Sequence, residues 1–302
     1  MKKIIAVFLA SCMLLTAIPA VSAESKLSEG GFDYSLINDG TEICIDYYSG
    51  SDTDVTIPEQ IAGLDVTMVG ASAFMFKKIE SIVLPDKISV ISSVAFNGCT
   101  NLESITLPRE IRVIGSEAFQ GCCALKEINL PDGLEFIWSK AFFGCDSLCA
   151  VDIPASVQTI GASAFSECDA LVEVHIAEGV KTIENNAFSW NVSREYRRIF
   201  IPDSVTTIYN RSVYNATAYL NGECYAASVL NPADICDLQK LGDLDNDGKK
   251  SVSDVILLRS VIIGYAWINR GGVLCDIDID GKITIADVVA LRQEIINGNA
   301  EK

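Results

Sequence analysis

The chain has 302 residues, with 23 Lys and Arg against 40 Asp and Glu, and a formal net charge of −17 at neutral pH. That balance excludes a general affinity for nucleic acid or for an anionic membrane surface. The length admits two domains, each with its own core.

Lys2 and Lys3 open the chain, an almost wholly apolar run follows from Ile4 to Ala20, and Val21-Ser22-Ala23 places small residues at −3 and −1 before Glu24. This pattern predicts a secretory signal peptide over residues 1–23. Reading Leu9-Ala10-Ser11-Cys12 as a lipoprotein box instead would leave the apolar stretch from Met13 to Ala20 at the head of the mature chain. Cleavage after Ala23 removes two lysines and no acid, so the charge moves from −17 to −19; it also removes Cys12, leaving ten of the 11 cysteines. In a secreted chain such a number ordinarily indicates disulfides. No later apolar run reaches the roughly 18–20 residues that a membrane span needs.

A repeat occupies the middle of the chain. Apolar residue–proline pairs recur at Ile57-Pro58, Leu84-Pro85, Leu107-Pro108, Leu130-Pro131, Ile153-Pro154 and Ile201-Pro202, with Ile176-Ala177 in the remaining slot, and from Pro85 to Pro154 the period is 23 residues. Phe74, Phe96, Phe119, Phe142, Phe165 and Phe188 keep the same time. So do Cys99, Cys122, Cys145 and Cys168, each followed three residues later by Leu102, Leu125, Leu148 or Leu171. A fixed period of this length predicts a solenoid of about seven turns, in which each turn buries its apolar side against its neighbours. The stretches "LESITLP", "LKEINLP" and "LCAVDIP" alternate apolar and polar residues as half-buried strands do. In "VQTIGASAF", Val157, Ile160 and Phe165 are expected to face the core. These motifs resemble the BspA-like leucine-rich repeats over about 43–213, and "FDYSLINDGTEICIDYYSG" is similar to the lead-in of that family. The first module is therefore bounded at 24–218.

Stacking places the four periodic cysteines in a column about one strand spacing apart, roughly 4.8 Å. Equivalent side chains point in parallel directions, which suits the near-perpendicular disulfide torsion poorly. Thiolate metal sites gather ligands around a point, not along a line. The column is accordingly read as small buried apolar residues. Cys44, Cys123, Cys149, Cys224, Cys236 and Cys275 fall outside it, and Cys224 and Cys236 flank the join between modules, where a bridge remains open.

After Phe188 the segment "SWNVSREYRRIF" lengthens the turn by two residues and brings Arg194, Arg197 and Arg198 together with Trp190 and Tyr196. Either these form a basic, aromatic binding surface of the kind enriched at hot spots, or the aromatics pack on the adjoining turn. Asn191, Asn210 and Asn215 lie in glycosylation sequons, which carry little weight if the host is a bacterium. The tyrosines of "YNRSVYNATAYLNGECY" are expected to cover the last turn, and residues 219–240 are read as a linker.

The C-terminal part carries one acidic pattern twice. Asp243, Asp245, Asp247, Ser251 and Asp254 occupy positions 1, 3, 5, 9 and 12 of a twelve-residue loop, with the Lys249 carbonyl at position 7. Asp276, Asp278, Asp280, Thr284 and Asp287, with the Lys282 carbonyl, repeat it 33 residues later. Oxygen ligands at this spacing, with Gly248 and Gly281 at the sharp turn, predict two Ca²⁺ ions. The plain alternative is an acidic surface turn. Val255, Ile256, Leu258 and Val261, and then Val288, Val289, Leu291 and Ile295, predict a helix after each loop. Position 12 is Asp rather than the usual Glu, and about a dozen residues separate the first helix from the second loop.

Over 241–298 this combination resembles the type I dockerin of cellulosomes, in "GDLDNDGKKSVSDVILLRSVIIG" and "CDIDIDGKITIADVVALRQEIING". The resemblance implies a small all-α calcium-binding module with two F-hand-like loop-helix motifs. It further implies Ca²⁺-dependent attachment to a cohesin module of a scaffoldin. By that resemblance Val252, Ser253, Arg259 and Ser260 in one half, and Ile285, Ala286, Arg292 and Gln293 in the other, contact the partner; packing between the two helices is the other use of the apolar ones. The whole chain is then expected to be an α+β modular, secreted and non-catalytic component of a cell-surface cellulosome of an anaerobic bacterium. Its solenoid would bind a polysaccharide, a cell surface or a protein. A glycosidase needs two carboxylic acids in a substrate cleft, and the acids of the repeats sit at variable turn positions with no insertion to form one. His175, the only histidine, stands on an alternating strand in "LVEVHIAEG" with Cys168 as its nearest thiol by sequence. A hydrolase or protease inhibitor with an unrecognised site is the alternative.

Overall fold

One 23-residue turn carries too few apolar side chains to close a core, so its stability comes from the turns on either side. The computed structural model describes residues 27–189, 197–209, 212–214, 217–220, 235–237, 288–293 and 295. Seven strands form its parallel ladder: Leu64–Val69, Val90–Ile91, Val113–Ile114, Phe136–Ile137, Thr159–Ile160, Thr182–Ile183 and Thr207–Ile208. From the second onward the register is strict, with Val90, Val113, Phe136, Thr159, Thr182 and Thr207 opposite one another, and Ile91, Ile114, Ile137, Ile160, Ile183 and Ile208 likewise. The expected solenoid is present, with seven rungs.

The lead-in folds as an antiparallel unit of Leu27–Glu29, Phe32–Ile37 and Glu42–Tyr48, the last of which pairs in parallel with Leu64–Val69. Asn38, Asp39 and Gly40 turn the hairpin with positive φ, the region these residue types tolerate best. Phe32 and Tyr48 close the first turn, with their rings 5.1 Å apart and Tyr48 stacked 5.4 Å from Phe74.

On the opposite side, Asp54–Thr56, Ser81–Val83 and Ser104–Thr106 form one sheet. Ala150–Ile153, Glu173–Ile176, Arg198–Phe200, Thr217–Leu220 and Ile235–Asp237 form another. The intervening "LKEINLP" stretch is not a strand, contrary to the alternation. Ile128 is buried while Glu127 and Asn129 are exposed, so the pattern of sides survives. Lys126, Glu127 and Asn129 are poor strand formers, and a single isoleucine does not compensate. Pairing continues past the last proline turn. Val213–Tyr214 joins Phe188–Ser189, and Ile235–Asp237, within the stretch read as linker, joins Thr217–Leu220.

The core is built of columns. Phe74, Phe96, Phe119, Phe142, Phe165 and Phe188 are fully buried and stack with centroids 5.0–5.4 Å apart and planes within 16°. Each ring's turn is locked by backbone bonds. The Phe96 amide donates to the Ala118 carbonyl of the next turn at 2.7 Å, and Phe119 and Phe142 repeat the bond to Ala141 and Ala164.

The corner before each phenylalanine needs a left-handed residue, which is Ser72, Val94, Glu117, Lys140, Ser163 or Asn186 in successive turns. Val94, at φ 64°, is the one β-branched member of this set. Its branched carbons crowd the backbone there. Val94→Asn is expected to raise the unfolding free energy by about 1 kcal/mol, read as a higher urea midpoint with unchanged slope. A lower midpoint would mean that the valine packing outweighs the strain.

Near the C-terminus, residues 288–293 and 295 are helical, inside the stretch where a second post-loop helix is expected. Val288 and Leu291 are buried and Ile295 is half-buried, but Val289 is 62% exposed and lies off the buried side.

Candidate functional site

The inside of the solenoid is chemically closed. Cys99, Cys122, Cys145 and Cys168 are buried free thiols, as expected for the column. Each does more than fill space. The Cys99 thiol donates to the Phe74 carbonyl at 3.0 Å, Cys122 to Phe96 at 3.3 Å, Cys145 to Phe119 at 3.3 Å and Cys168 to Phe142 at 3.0 Å. The same carbonyls accept the amides of Lys77, Cys99, Cys122 and Cys145, so both lone pairs of every one are used.

Burial pushes the Cys99 thiol up to about 12 and holds Cys122 and Cys145 well above the ordinary thiol range. The Cys99 thiol stays protonated when folded at a pH where the unfolded chain ionises, so its contribution to stability is lost as pH rises from 9.0 toward about 12, and Cys122 and Cys145 act in the same direction. Cys149 is exposed. Under iodoacetamide at mildly alkaline pH the folded protein is expected to be alkylated at Cys149, with Cys99, Cys122 and Cys145 untouched until denaturation, as read by peptide mass spectrometry. Labelling of the column in the folded state would show that the turns open.

Outside, His175 projects from Glu173–Ile176 in register with Asp152 on one side and Phe200 on the other. Its ring stacks on Phe200 at 4.4 Å and 5°, and its Nε2 lies 2.7 Å from Glu173 Oε1. Arg198 Nη2 donates to the second Glu173 oxygen at 2.9 Å. The bond to His175, joined by the Arg198 charge, holds the Glu173 carboxyl below the usual carboxylate range. Cys168 is buried on its phenylalanine carbonyl while His175 is exposed, so the two form no nucleophilic dyad. The arrangement is an ion-paired aromatic surface.

Arg197 corrects the expected basic surface cluster, because only 1% of it is exposed. Its Nε donates to the Leu171 carbonyl at 3.1 Å and its Nη2 to the Asp169 carbonyl at 2.9 Å. One turn earlier, the Asp146 carbonyl accepts the Ala170 amide. At the equivalent carbonyl of the next turn, that of Asp169, the guanidinium is a donor. Trp190, Arg194 and Tyr196 lie outside the described residues.

A second row follows the parallel ladder, buried at Ser92, Gly115 and Gly161 and exposed at Trp138 and Tyr209. Ser92, Gly115, Trp138, Gly161, Glu184 and Tyr209 occupy one equivalent position, since each amide donates to the carbonyl of Val69, Ile91, Ile114, Ile137, Ile160 or Ile183 in turn. Trp138 is 40% and Tyr209 50% exposed. Phe136 backs the indole with ring centroids 5.7 Å apart and planes 12° from parallel. Glu184 Oε2 accepts the Ala162 amide at 2.9 Å. The sequence signal for this row was a Gly/Ser rhythm interrupted by aromatics.

The loop residues Asp243, Asp245, Asp247, Lys249, Ser251, Asp254, Asp276, Asp278, Asp280, Lys282, Thr284 and Asp287 lie outside the described residues, as do Val252, Ser253, Arg259, Ser260, Ile285 and Ala286. Arg292 and Gln293 are described and are exposed on the helical segment. Among the described residues no group of three or more His, Cys, Asp and Glu side chains is placed to hold a metal ion, and no helix is long and apolar enough to cross a membrane.

Stacked 23-residue turns with apolar columns inside and variable rows outside define a leucine-rich-repeat protein. Residues 67–195 and 110–220 match the BspA type leucine rich repeat region in six copies, and the chain belongs to that family. Among solved structures it is similar to a leucine rich cell surface protein of Faecalibacterium prausnitzii A2-165, at 29% identity and TM-score 0.60, over 67% of this chain and 56% of that one. A leucine rich repeat protein of T. pallidum matches at 30% identity and TM-score 0.52, over 67% and 90% of the two chains. A leucine-rich repeat protein of Bacteroides ovatus matches at 26% and TM-score 0.50, over 64% and 55%. The chain thus spans little more than half the length of the first and third. No curated protein matches it. None of these descriptions names an enzymatic activity.

Proposed function

We propose that this is a secreted, non-catalytic surface protein whose solenoid displays a binding or adhesion face and whose C-terminal module anchors it through calcium. The observation that carries the display role is the register. Backbone bonds tie each turn to the next, and thiol bonds reinforce four of them, so outward rows such as Asp152, His175 and Phe200 are held at the strand spacing, and preorganised surfaces bind at low entropic cost. The solenoid's similarity to a bacterial cell surface protein agrees with an extracellular site of action. Anchoring rests on the paired loops. Asp243, Asp245, Asp247, Lys249, Ser251 and Asp254 would hold one Ca²⁺, and Asp276, Asp278, Asp280, Lys282, Thr284 and Asp287 a second, presenting the adjoining helices to a cohesin of a scaffoldin.

The test is calorimetric titration of the full mature chain with cohesins, in Ca²⁺ and again in EDTA. Tight binding to a cohesin that EDTA abolishes, with the thermal transition of the solenoid unmoved, is the expected result. Absence of binding to every cohesin tried would reduce the acidic loops to a calcium-stabilised tail and leave the display role to stand alone.

A further inference from the structure

We infer that the rung Lys126–Leu130 is a hinge built into the solenoid, at which the wall carrying the Asp152, His175 and Phe200 row bends to fit a partner. The use made of the bend rests on the reading of the solenoid as a display face; the bend itself is read from backbone bonds. Each rung of this wall begins with an amide that donates to the equivalent residue of the turn before. The distances are 2.7 Å from Glu80 to Thr53, 2.9 Å from Glu103 to Glu80, 3.4 Å from Lys126 to Glu103, 3.3 Å from Cys149 to Lys126, 3.0 Å from Val172 to Cys149 and 2.8 Å from Arg198 to Val172. The wall is tight toward both ends and splayed on either side of Lys126.

Past that first amide the ladder is cut. Among the described residues no backbone hydrogen bond joins Glu127, Ile128 or Asn129 to Ser104–Thr106 on one side or to Ala150–Ile153 on the other, and the wall divides there into two sheets. The other two walls run on unbroken. On the parallel ladder the bonds of Arg112 to Ser89, Glu135 to Arg112 and Lys181 to Gln158 stay at 2.8–2.9 Å, and the amides of the stacked phenylalanines stay at 2.7–2.8 Å. With two walls continuous and one cut, the soft motion is a bend that opens or closes the cut. Little resists it. Ile128 is buried beneath, and Lys126 Nζ meets Glu103 Oε2 at 2.7 Å in a pair exposed to solvent, which contributes little. Few backbone bonds at an exposed strand position mark a segment that opens locally. The core does not impose the cut, since Glu127 and Asn129 are exposed; it follows from placing weak strand formers where the preceding rung has Ser104 and Thr106.

The experiment follows hydrogen–deuterium exchange in the full mature chain and in a double variant, Glu127→Ser with Asn129→Thr, which copies the Ser104–Thr106 rung. Amides 127–129 of the unaltered protein are expected to exchange at least tenfold faster than those of Ser81–Val83 and Glu173–Ile176, which pair on both sides, and the double variant should remove that difference. Bending is read separately from spin labels at Thr56 and Asp152, four turns or about 19 Å apart, attached through ketone-bearing residues so that Cys149 stays unlabelled. Their distance distribution should be broad and should narrow in the double variant. Equal exchange of 127–129 and the paired rungs overturns the hinge, as does exchange that the double variant leaves fast, or a distribution no broader in the unaltered protein than in the variant. Neither readout uses a ligand. Failure of the display reading would therefore leave both results in place, whereas loss of either result removes the hinge and leaves the display reading to its own test.

Discussion

Phe142→Ala is expected to lower the unfolding free energy of the solenoid by about 3–5 kcal/mol. The ring is fully buried between Phe119, 5.2 Å away and 4° from parallel, and Phe165, 5.0 Å away and 9° from parallel. Alanine keeps the backbone bond to the Ala164 carbonyl and leaves the Phe142 carbonyl to its two donors, Cys145 and Cys168. The loss is therefore of side-chain contact alone. The hole has no way to close, because the rungs above and below are fixed by the ladder, and a site that cannot collapse carries the full cavity cost. In a solenoid the change also weakens two interfaces together. Urea unfolding followed by circular dichroism should show an earlier transition that broadens or splits. A loss below about 1 kcal/mol would mean that the aromatic column does not couple the turns.

Arg197→Ala is the second large effect, at about 2–4 kcal/mol. It removes a charged donor from the buried Leu171 carbonyl and the half-buried Asp169 carbonyl at the place where the repeat lengthens. Lysine should rescue little, because a single ammonium on a flexible stem does not reproduce two directed bonds from one planar group. The same urea experiment reads it. Near-neutral behaviour of the alanine variant would place the stability of this turn in the backbone pairing of Glu173 with Arg198.

These two positions mark the boundary of what the sequence makes legible. Phe142 is readable because the period is constant over its neighbours, and a constant period forces equivalent residues into one column whatever the backbone does locally. Arg197 sits where two extra residues break that period. Arginine beside aromatic residues has the composition of a surface cluster, and only the three-dimensional fate of the Leu171 and Asp169 carbonyls makes it an interior donor. The cysteines divide in the same way. Their burial follows from spacing, but the thiol bond to the preceding turn depends on an inward carbonyl with a lone pair to spare, which no one-dimensional pattern records. Strand alternation identifies the sides of Glu127, Ile128 and Asn129 correctly and overstates their pairing, since side preference comes from burial while the ladder also needs strand-forming residues. Trp138 and Tyr209 are not legible as a pair, because they replace Gly and Ser in a column defined by backbone bonds rather than by apolarity. The acidic loops remain an expectation from spacing and resemblance.

The uniform thiol and amide bonding of consecutive turns has a consequence for how such genes change. A segment of 23 residues cut out between equivalent positions, such as 108–130, would bring Leu107 to Pro131 and present the next turn with the same carbonyls, the same ring and the same thiol. Duplication of that segment would do the reverse. Insertions and deletions, ruinous in most folds, here become whole-rung edits that lengthen or shorten the outward face by one strand spacing while leaving the hairpin at one end and the acidic tail at the other unaltered. Reach is thus a heritable variable that selection can tune by unequal recombination, without redesigning a single contact.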